Sequence, residues 1–257
     1  MARAGGWEEP TVLVCRSGHR AALVARRARG SNVIVLAGGT QGWIHAGLPV
    51  DRGPDPRGAE ERDGKGGDLR GLDRAMGAID VGGIRRWRRE AARGLRGHFL
   101  ELGAGTGRNS AYMPSGTSLV AVEPDIEALR YRRAEGRARG VAVVARGEAL
   151  PFRDGVFDSA LSTLVLCSVD DQQRVAAELR RVVRPGATLS AIDHVLAGNR
   201  LLARLQRWGA PAWYRRTGSC RIDRQSLDAL REAGFEVTVE ATRLGGAFVR
   251  YRATSPA

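Results

Sequence analysis

Three glutamates and a run of glycines have the types and spacing to hold a nucleoside. The stretch ELGAGTGRN, Glu101 to Asn109, sets Gly103, Gly105 and Gly107 directly behind an apolar segment. Glycine lets a chain turn tightly and lets a ligand approach its backbone. The dinucleotide fingerprint requires its third glycine three places after the second, where this chain has Arg108, and the Lys and Ser/Thr pair of a phosphate loop is missing. Polyphosphate binding is therefore unsupported, and a tight turn against a nucleoside remains. Glu123 ends the next apolar run, where a carboxylate can accept hydrogen bonds from both hydroxyls of a ribose. Glu148 follows a third run and can accept from an exocyclic adenine amine. Glu101 stands near the place for a positively charged amino acid group.

These residues need strands to carry them, and the sequence supplies an alternation. HFLELGAG (98–105), SLVAVEP (118–124), VAVVARG (141–147), FDSALSTLVL (157–166) and ATLSAIDHV (187–195) read as buried strands. Helices are expected over 125–139, opened by Pro124 and Asp125, and over 171–184, stopped by Pro185 and Gly186. FEVTVEATRL and GAFVRYRATS, parted at Gly245 and Gly246, read as a closing antiparallel hairpin. Such alternation predicts an α/β fold, Rossmann-like, with a mostly parallel sheet and ligands beyond the carboxyl ends of its strands. Residues 51–75, rich in Gly, Pro and charge, read as a linker between a segment 1–50 and a larger domain 76–257.

The 257 residues carry 41 Lys plus Arg against 28 Asp plus Glu, a net +13, and 43% hydrophobic residues. That composition excludes disorder and collagen-like repeats. No apolar run is long enough to span a membrane, and MARAGGWEEP lacks a secretory core, so a cytoplasmic protein without stable membrane insertion is expected. All the basic residues except Lys65 are arginines scattered through the chain, which fits a compositional bias better than a nucleic-acid face. Cys15, Cys167 and Cys220 make neither a metal-type pair nor an even disulfide framework, so no metal is expected.

The order ELGAGTG, VAVEPD, GEALPF, FDSALSTLVLCSV, LRRVVRPGATL resembles a class I S-adenosylmethionine-dependent methyltransferase of the type-11 kind across residues 97–240. The resemblance implies S-adenosylmethionine as cofactor and S-adenosylhomocysteine as product. It implies that Gly103, Gly105 and Gly107 shape the loop around the methionine part, with Glu101 and Asn109 also among the cofactor-binding residues. Glu123 with Pro124 would hold the ribose, Glu148 and Ala149 would face the adenine, and Thr163 would flank the sulfonium. LVLCSVDD, AIDHVLAG and WGAPAWYRRTGSCRIDRQSLDALREAGF are similar, more narrowly, to thiol methyltransferases. Asp193-His194-Val195 and Gly218-Ser219-Cys220 stand where those enzymes have Glu-His-Val and Gly-Gly-Cys.

That likeness implies a small-molecule thiol or sulfide acceptor. His194 is then a candidate to orient or deprotonate it, with Asp193 as partner, although neighbours in a strand point to opposite faces. A strand-end histidine satisfied by its surroundings is the equal alternative. Trp208, Trp213 and Cys220 are candidate substrate contacts on a lid, and Gly209 with Pro211 is expected to interrupt any continuous helix there. Cys167 reads as a packing residue. O-, N- or C-methylation of a small metabolite or quinone, and a non-catalytic S-adenosylmethionine sensor, are the alternative functions.

PTVLVCRSGHR, followed by NVIVLAGGTQGWIHAGLPV, resembles the second half of a rhodanese domain. It implies a persulfide-forming Cys15 in a truncated α/β module, retained for sulfur handling, or as a cap or homodimer surface.

Overall fold

The computed structural model describes residues 69–257 and, upstream of them, the backbone of two short strands. Those are β1 (Thr11–Leu13) and β2 (Val33–Val35), which pair in parallel. The rest begins with α1 (Leu69–Ile79), a π-helical turn (Asp80–Ile84) and α2 (Arg85–Ala92). Then come β3 (His98–Leu102), β4 (Ser118–Val122), α3 (Ile126–Ala134), β5 (Val141–Val143), β6 (Phe157–Thr163), α4 (Gln172–Val182) and β7 (Val183–His194). Helices α5 (Arg200–Thr217) and α6 (Ser226–Glu232) precede the hairpin of β8 (Glu236–Arg243) and β9 (Phe248–Thr254).

One sheet results, in the order β2-β1-β5-β4-β3-β6-β7-β9-β8, parallel except where β9 runs against β7 and β8. The alternation of side chains along each strand builds two cores. Leu100, Leu102, Val120, Val122 and Leu189 face α4 and α6, and Phe99, Leu119, Ala121, Leu161 and Ile192 face α2. The chain leaves β3 for β4 on one side and returns to β6 on the other. The reversal opens a crevice at the carboxyl ends of those strands.

Several expectations shift in detail. Helix α1 starts at Leu69, inside the stretch expected to be linker, because Asp73 is buried beneath the glycine loop. Strand β5 ends at Val143, and α3 stops at Ala134, just before Gly136 turns with a positive φ. Strand β7 begins at Val183, with a shifted register against β6, so Pro185 and Gly186 lie within a strand and the preceding helix has already ended. Helix α5 runs without a break through Gly209 and Pro211. A ring nitrogen removes one backbone donor, but the long helix keeps its remaining bonds and packs through Ala203, Gln206 and Ala210. β1 aligns with β5 at Thr11 and Ala142, so the upstream strands extend the main sheet. Cys15 and the remainder of the rhodanese-like stretch lie outside the described residues. Among the described residues no helix is long and apolar enough to cross a membrane.

Leu100 is fully buried between β4 and β6. Leu100→Ala should lower unfolding stability by about 2–5 kcal/mol through lost burial and the cavity left behind. A urea titration followed by circular dichroism measures this, and a shift below about 1 kcal/mol would contradict a tightly packed central strand.

Candidate functional site

Strand β3 delivers Glu101 to the crevice with no solvent exposure. Burial pushes its carboxyl pKa up, opposed by Arg132, Asn109 and Arg88. Asn109 Nδ2 donates to Glu101 Oε1 at 3.0 Å and to Thr163 Oγ1 at 2.8 Å, and Asn109 Oδ1 accepts from Arg88 at 2.8 Å. Asn109 and Thr163 therefore act as a bridge that fixes the loop against β3 and β6. Glu101 Oε2 accepts no hydrogen bond, although the Arg132 guanidinium stands 3.5 Å away.

Glu123 directly follows β4. Its Oε2 accepts from the Gly105 N–H at 2.9 Å and its Oε1 from the Asp125 N–H at 3.2 Å. The carboxylate is thereby aimed across the loop with lone pairs to spare. Burial raises its pKa, and those two backbone donors oppose the rise. Gly103, Gly105 and Gly107 all take positive φ. A Cβ at Gly103 would come within 2.3 Å of Val165, and one at Gly107 within 2.5 Å of Arg132, so these two glycines are required by close packing. At Gly105 a Cβ would meet nothing nearer than a backbone oxygen at 4.0 Å. Open space over Gly105, a buried carboxylate oxygen without a donor, and a pre-aimed Glu123 fit a cationic adenosyl ligand.

A clamp that sequence reasoning missed holds this loop. Asp73 of α1 accepts from Thr106 Oγ1 at 2.9 Å and from Arg137 at 2.9 Å, and pairs with Arg108 at 3.1 Å. Asp80 pairs with Arg88 at 2.8 Å and Arg108 at 2.9 Å. The only signal was two acids ahead of an arginine-rich helix, and the Gly- and charge-rich setting of Asp73 masked it.

Glu148, the candidate for the adenine, also has partners within the protein. Its Oε1 accepts from the Asp170 N–H at 3.1 Å, and Arg146 lies 3.5 Å from its other oxygen. It therefore braces the loop after β6, while Ala149 is exposed beside it. Pro124 is exposed at the turn after Glu123.

Beyond β6 and β7 lies a second cluster. His194 stacks on Phe248 at 4.3 Å and meets Trp213 edge-on at 6.2 Å. Its Nδ1 is 3.7 Å from Cys220 Sγ, and Cys220 Sγ is 3.8 Å from Cys167 Sγ. The expected Asp193–His194 pairing does not form, because strand alternation sends Asp193 to the other face. Asp193 is fully buried and its Oδ2 accepts from Tyr251 at 2.6 Å. Burial lifts its pKa to about 7, opposed by Tyr251 and the Cys167 and Leu166 backbone. It is a buttress for the strand end. Trp208 is 85% exposed on the outer side of α5 and does not line the site, whereas Trp213 and Cys220 do. Cys167 is buried but is also a sulfur partner, which its expected packing role did not include.

Glu123→Ala should weaken S-adenosylhomocysteine binding by roughly 10–100-fold, since charge-assisted hydrogen bonds are worth about 1.5–3 kcal/mol. Calorimetry reads it, and an unchanged affinity would remove Glu123 from the site. Asp193, raised when folded above its ordinary value of 3.8, binds an extra proton on folding, so its contribution falls as pH rises between about 4 and about 7. Asp193→Asn should remove that part of the slope in urea midpoints measured across this range, and an unaltered slope would show that Asp193 titrates normally.

Residues 100–191 match the methyltransferase domain family. The chain is 34% identical over 150 residues to the human thiol S-methyltransferase TMT1A, covering 53% of this chain and 59% of that protein. It is 34% identical over 144 residues to the demethylmenaquinone methyltransferase of Mycolicibacterium vanbaalenii, covering 53% and 61%. The chain thus spans about three fifths of the length of the curated relatives it matches. Among solved structures, a SAM-dependent methyltransferase of Thermotoga maritima described as a "possible histamine N-methyltransferase" superposes with TM-score 0.50 at 25% identity, covering 68% of this chain and 95% of that one. The [4+2]-cyclase SpnF superposes with TM-score 0.55 at 18% identity, covering 67% and 81%, a likeness of fold alone.

Proposed function

We propose, from the premise that residues 100–191 form an S-adenosylmethionine-dependent methyltransferase domain, that this chain methylates the sulfur of a small-molecule thiol or hydrosulfide. The observation that carries the reading is the second cluster: an imidazole, a half-buried thiol and two aromatic rings beyond the ends of β6 and β7. Relatives named thiol S-methyltransferases support it. When bound, S-adenosylmethionine supplies a methyl carbon activated by its sulfonium charge, and transfer to a thiolate leaves a thioether and S-adenosylhomocysteine.

The protein's part is to hold the cofactor, ionise the acceptor and exclude water. Glu123 would hold the ribose and Glu101 the amino group, through carboxyl groups already oriented by backbone N–H donors and by Asn109. The acceptor must react as its thiolate, and His194 takes its proton. Phe248 and Trp213 fix the plane and tilt of that imidazole. Hydrosulfide as acceptor, with sulfane sulfur handled by residues 1–50, rests on the rhodanese-like stretch around Cys15. Demethylmenaquinone methyltransferase among the relatives favours a second reading, methylation at carbon of a quinone ring.

Offering thiols, hydrosulfide, phenols, amines and a quinol with labelled cofactor should give label on sulfur alone. Label on oxygen, nitrogen or carbon, with thiols ignored, would overturn the reading. His194→Ala should lower kcat/KM for weakly acidic alkyl thiols by about 100-fold or more, and much less for aryl thiols that are already ionised. Equal losses for both classes would exclude His194 as the base.

A further inference from the structure

Cys167, Cys220 and His194 come from three separate elements: the loop after β6, the segment after α5 and the end of β7. Cys167 is 1% exposed, whereas Cys220 is partly open. The Arg221 N–H donates to the Cys167 carbonyl at 2.8 Å and pins the two cysteine-bearing segments together. The sulfurs, 3.8 Å apart, need to approach by less than about 2 Å to reach disulfide bonding distance. In the proposed methyl transfer Cys220 only lines the acceptor position, and the chemistry of the paired sulfurs is left unused. An accessible, activated thiol backed by a buried second thiol is the arrangement that attacks disulfides and then resolves the product.

We propose that Cys220 and Cys167 form a thiol–disulfide exchange site for small-molecule disulfides, with Cys220 as attacking and Cys167 as resolving thiol. Cys220 Sγ as thiolate attacks one sulfur of the disulfide. A bond forms to that sulfur, the substrate S–S bond breaks, and one thiolate leaves with the electron pair. Cys167 then gives up its proton and attacks Cys220 Sγ. This expels the second substrate half as a thiolate, which takes up a proton, and leaves a Cys167–Cys220 disulfide. The substrate has gained two electrons and the cysteine pair has lost two. An external dithiol returns the pair to the reduced form and leaves as its own disulfide.

The electrostatics support these roles. The hydrogen bond with Cys167, then His194 and Trp213, brings the Cys220 thiol down to about 5, against the effect of burial. The same contact and burial push Cys167 well up, so the proton stays on the resolving thiol until it is needed. The exchange does not depend on methyl transfer, although the thiol it releases belongs to the class that the proposed reaction consumes.

The test uses the full chain carrying Cys15→Ser, so that Cys167 and Cys220 are its remaining cysteines, with bis(2-hydroxyethyl) disulfide and no S-adenosylmethionine. Intact mass should show loss of two hydrogens and release of two thiol equivalents, and peptide mapping should place the link between Cys167 and Cys220. Adding Cys167→Ser should leave a stable mixed disulfide on Cys220 and one released equivalent. Adding Cys220→Ser should slow the reaction at least about tenfold. A mixed disulfide that persists with Cys167 present, or mapping that finds no Cys167–Cys220 link, would overturn the proposal. Because no methyl donor is present, failure here leaves the methylation reading standing, and failure of the acceptor panel leaves the exchange site standing.

Discussion

A carboxylate removed from water has to be met by cations or donors, or it gives up its charge. Burial pushes the pKa of two acids at strand ends upward, and different partners oppose it at each. Glu101 is surrounded by Arg132, Asn109 and, through Asn109, Arg88, which together oppose its neutralisation. Asp193, two strands away across β6, has Tyr251 and backbone N–H groups but no guanidinium, and its pKa climbs to about 7. The crevice is thereby divided. Over β3 and β4 it is lined by the carboxyl groups of Glu101 and Glu123 and their donors, and beyond β6 and β7 by imidazole, thiols and aromatic rings.

The division depends on the clamp of α1, the π-helical turn and α2. Asp73 and Asp80 draw Arg88, Arg108 and Arg137 down onto the glycine loop, and Thr106 joins the same network. Leaving one buried member of such a pair alone costs about 3–5 kcal/mol, so the network sets the loop conformation as a unit. Planar guanidinium groups suit this work because one side chain can serve two acids, as Arg108 does. A composition rich in arginine therefore contains two populations: many solvated side chains, and a few that are structural.

Much of the fold was legible because buried strands advertise themselves as apolar runs bounded by turn residues. The ELGAGTG turn, Glu123 at the end of β4 and the closing hairpin stand where the pattern put them. Strand and helix limits were less legible, as at β7, where Pro185 and Gly186 carry a shifted register in place of a stop. Helix α1 escaped notice because its anchor, Asp73, looks like surface charge until its partners, 33 to 64 residues away, are seen. The continuity of α5 was hidden for a similar reason, since packing through Ala203, Gln206 and Ala210 outweighs one lost backbone bond at Pro211.

Local chemistry, read along the chain, determined that a mostly parallel α/β sheet carries a glycine turn after one strand and a carboxylate, Glu123, after the next, because both arise from residues that directly follow an apolar run. Tertiary structure alone decided what His194 touches. In the sequence its neighbour is Asp193, but the pleat sends that carboxylate to the far face, and the chain's return after α5 brings Cys220 to the imidazole instead. Side-chain direction in a strand alternates, and contact between distant segments is set by how helices pack across the sheet. Spacing in the sequence could therefore identify the chemical groups of the second cluster but not their pairing.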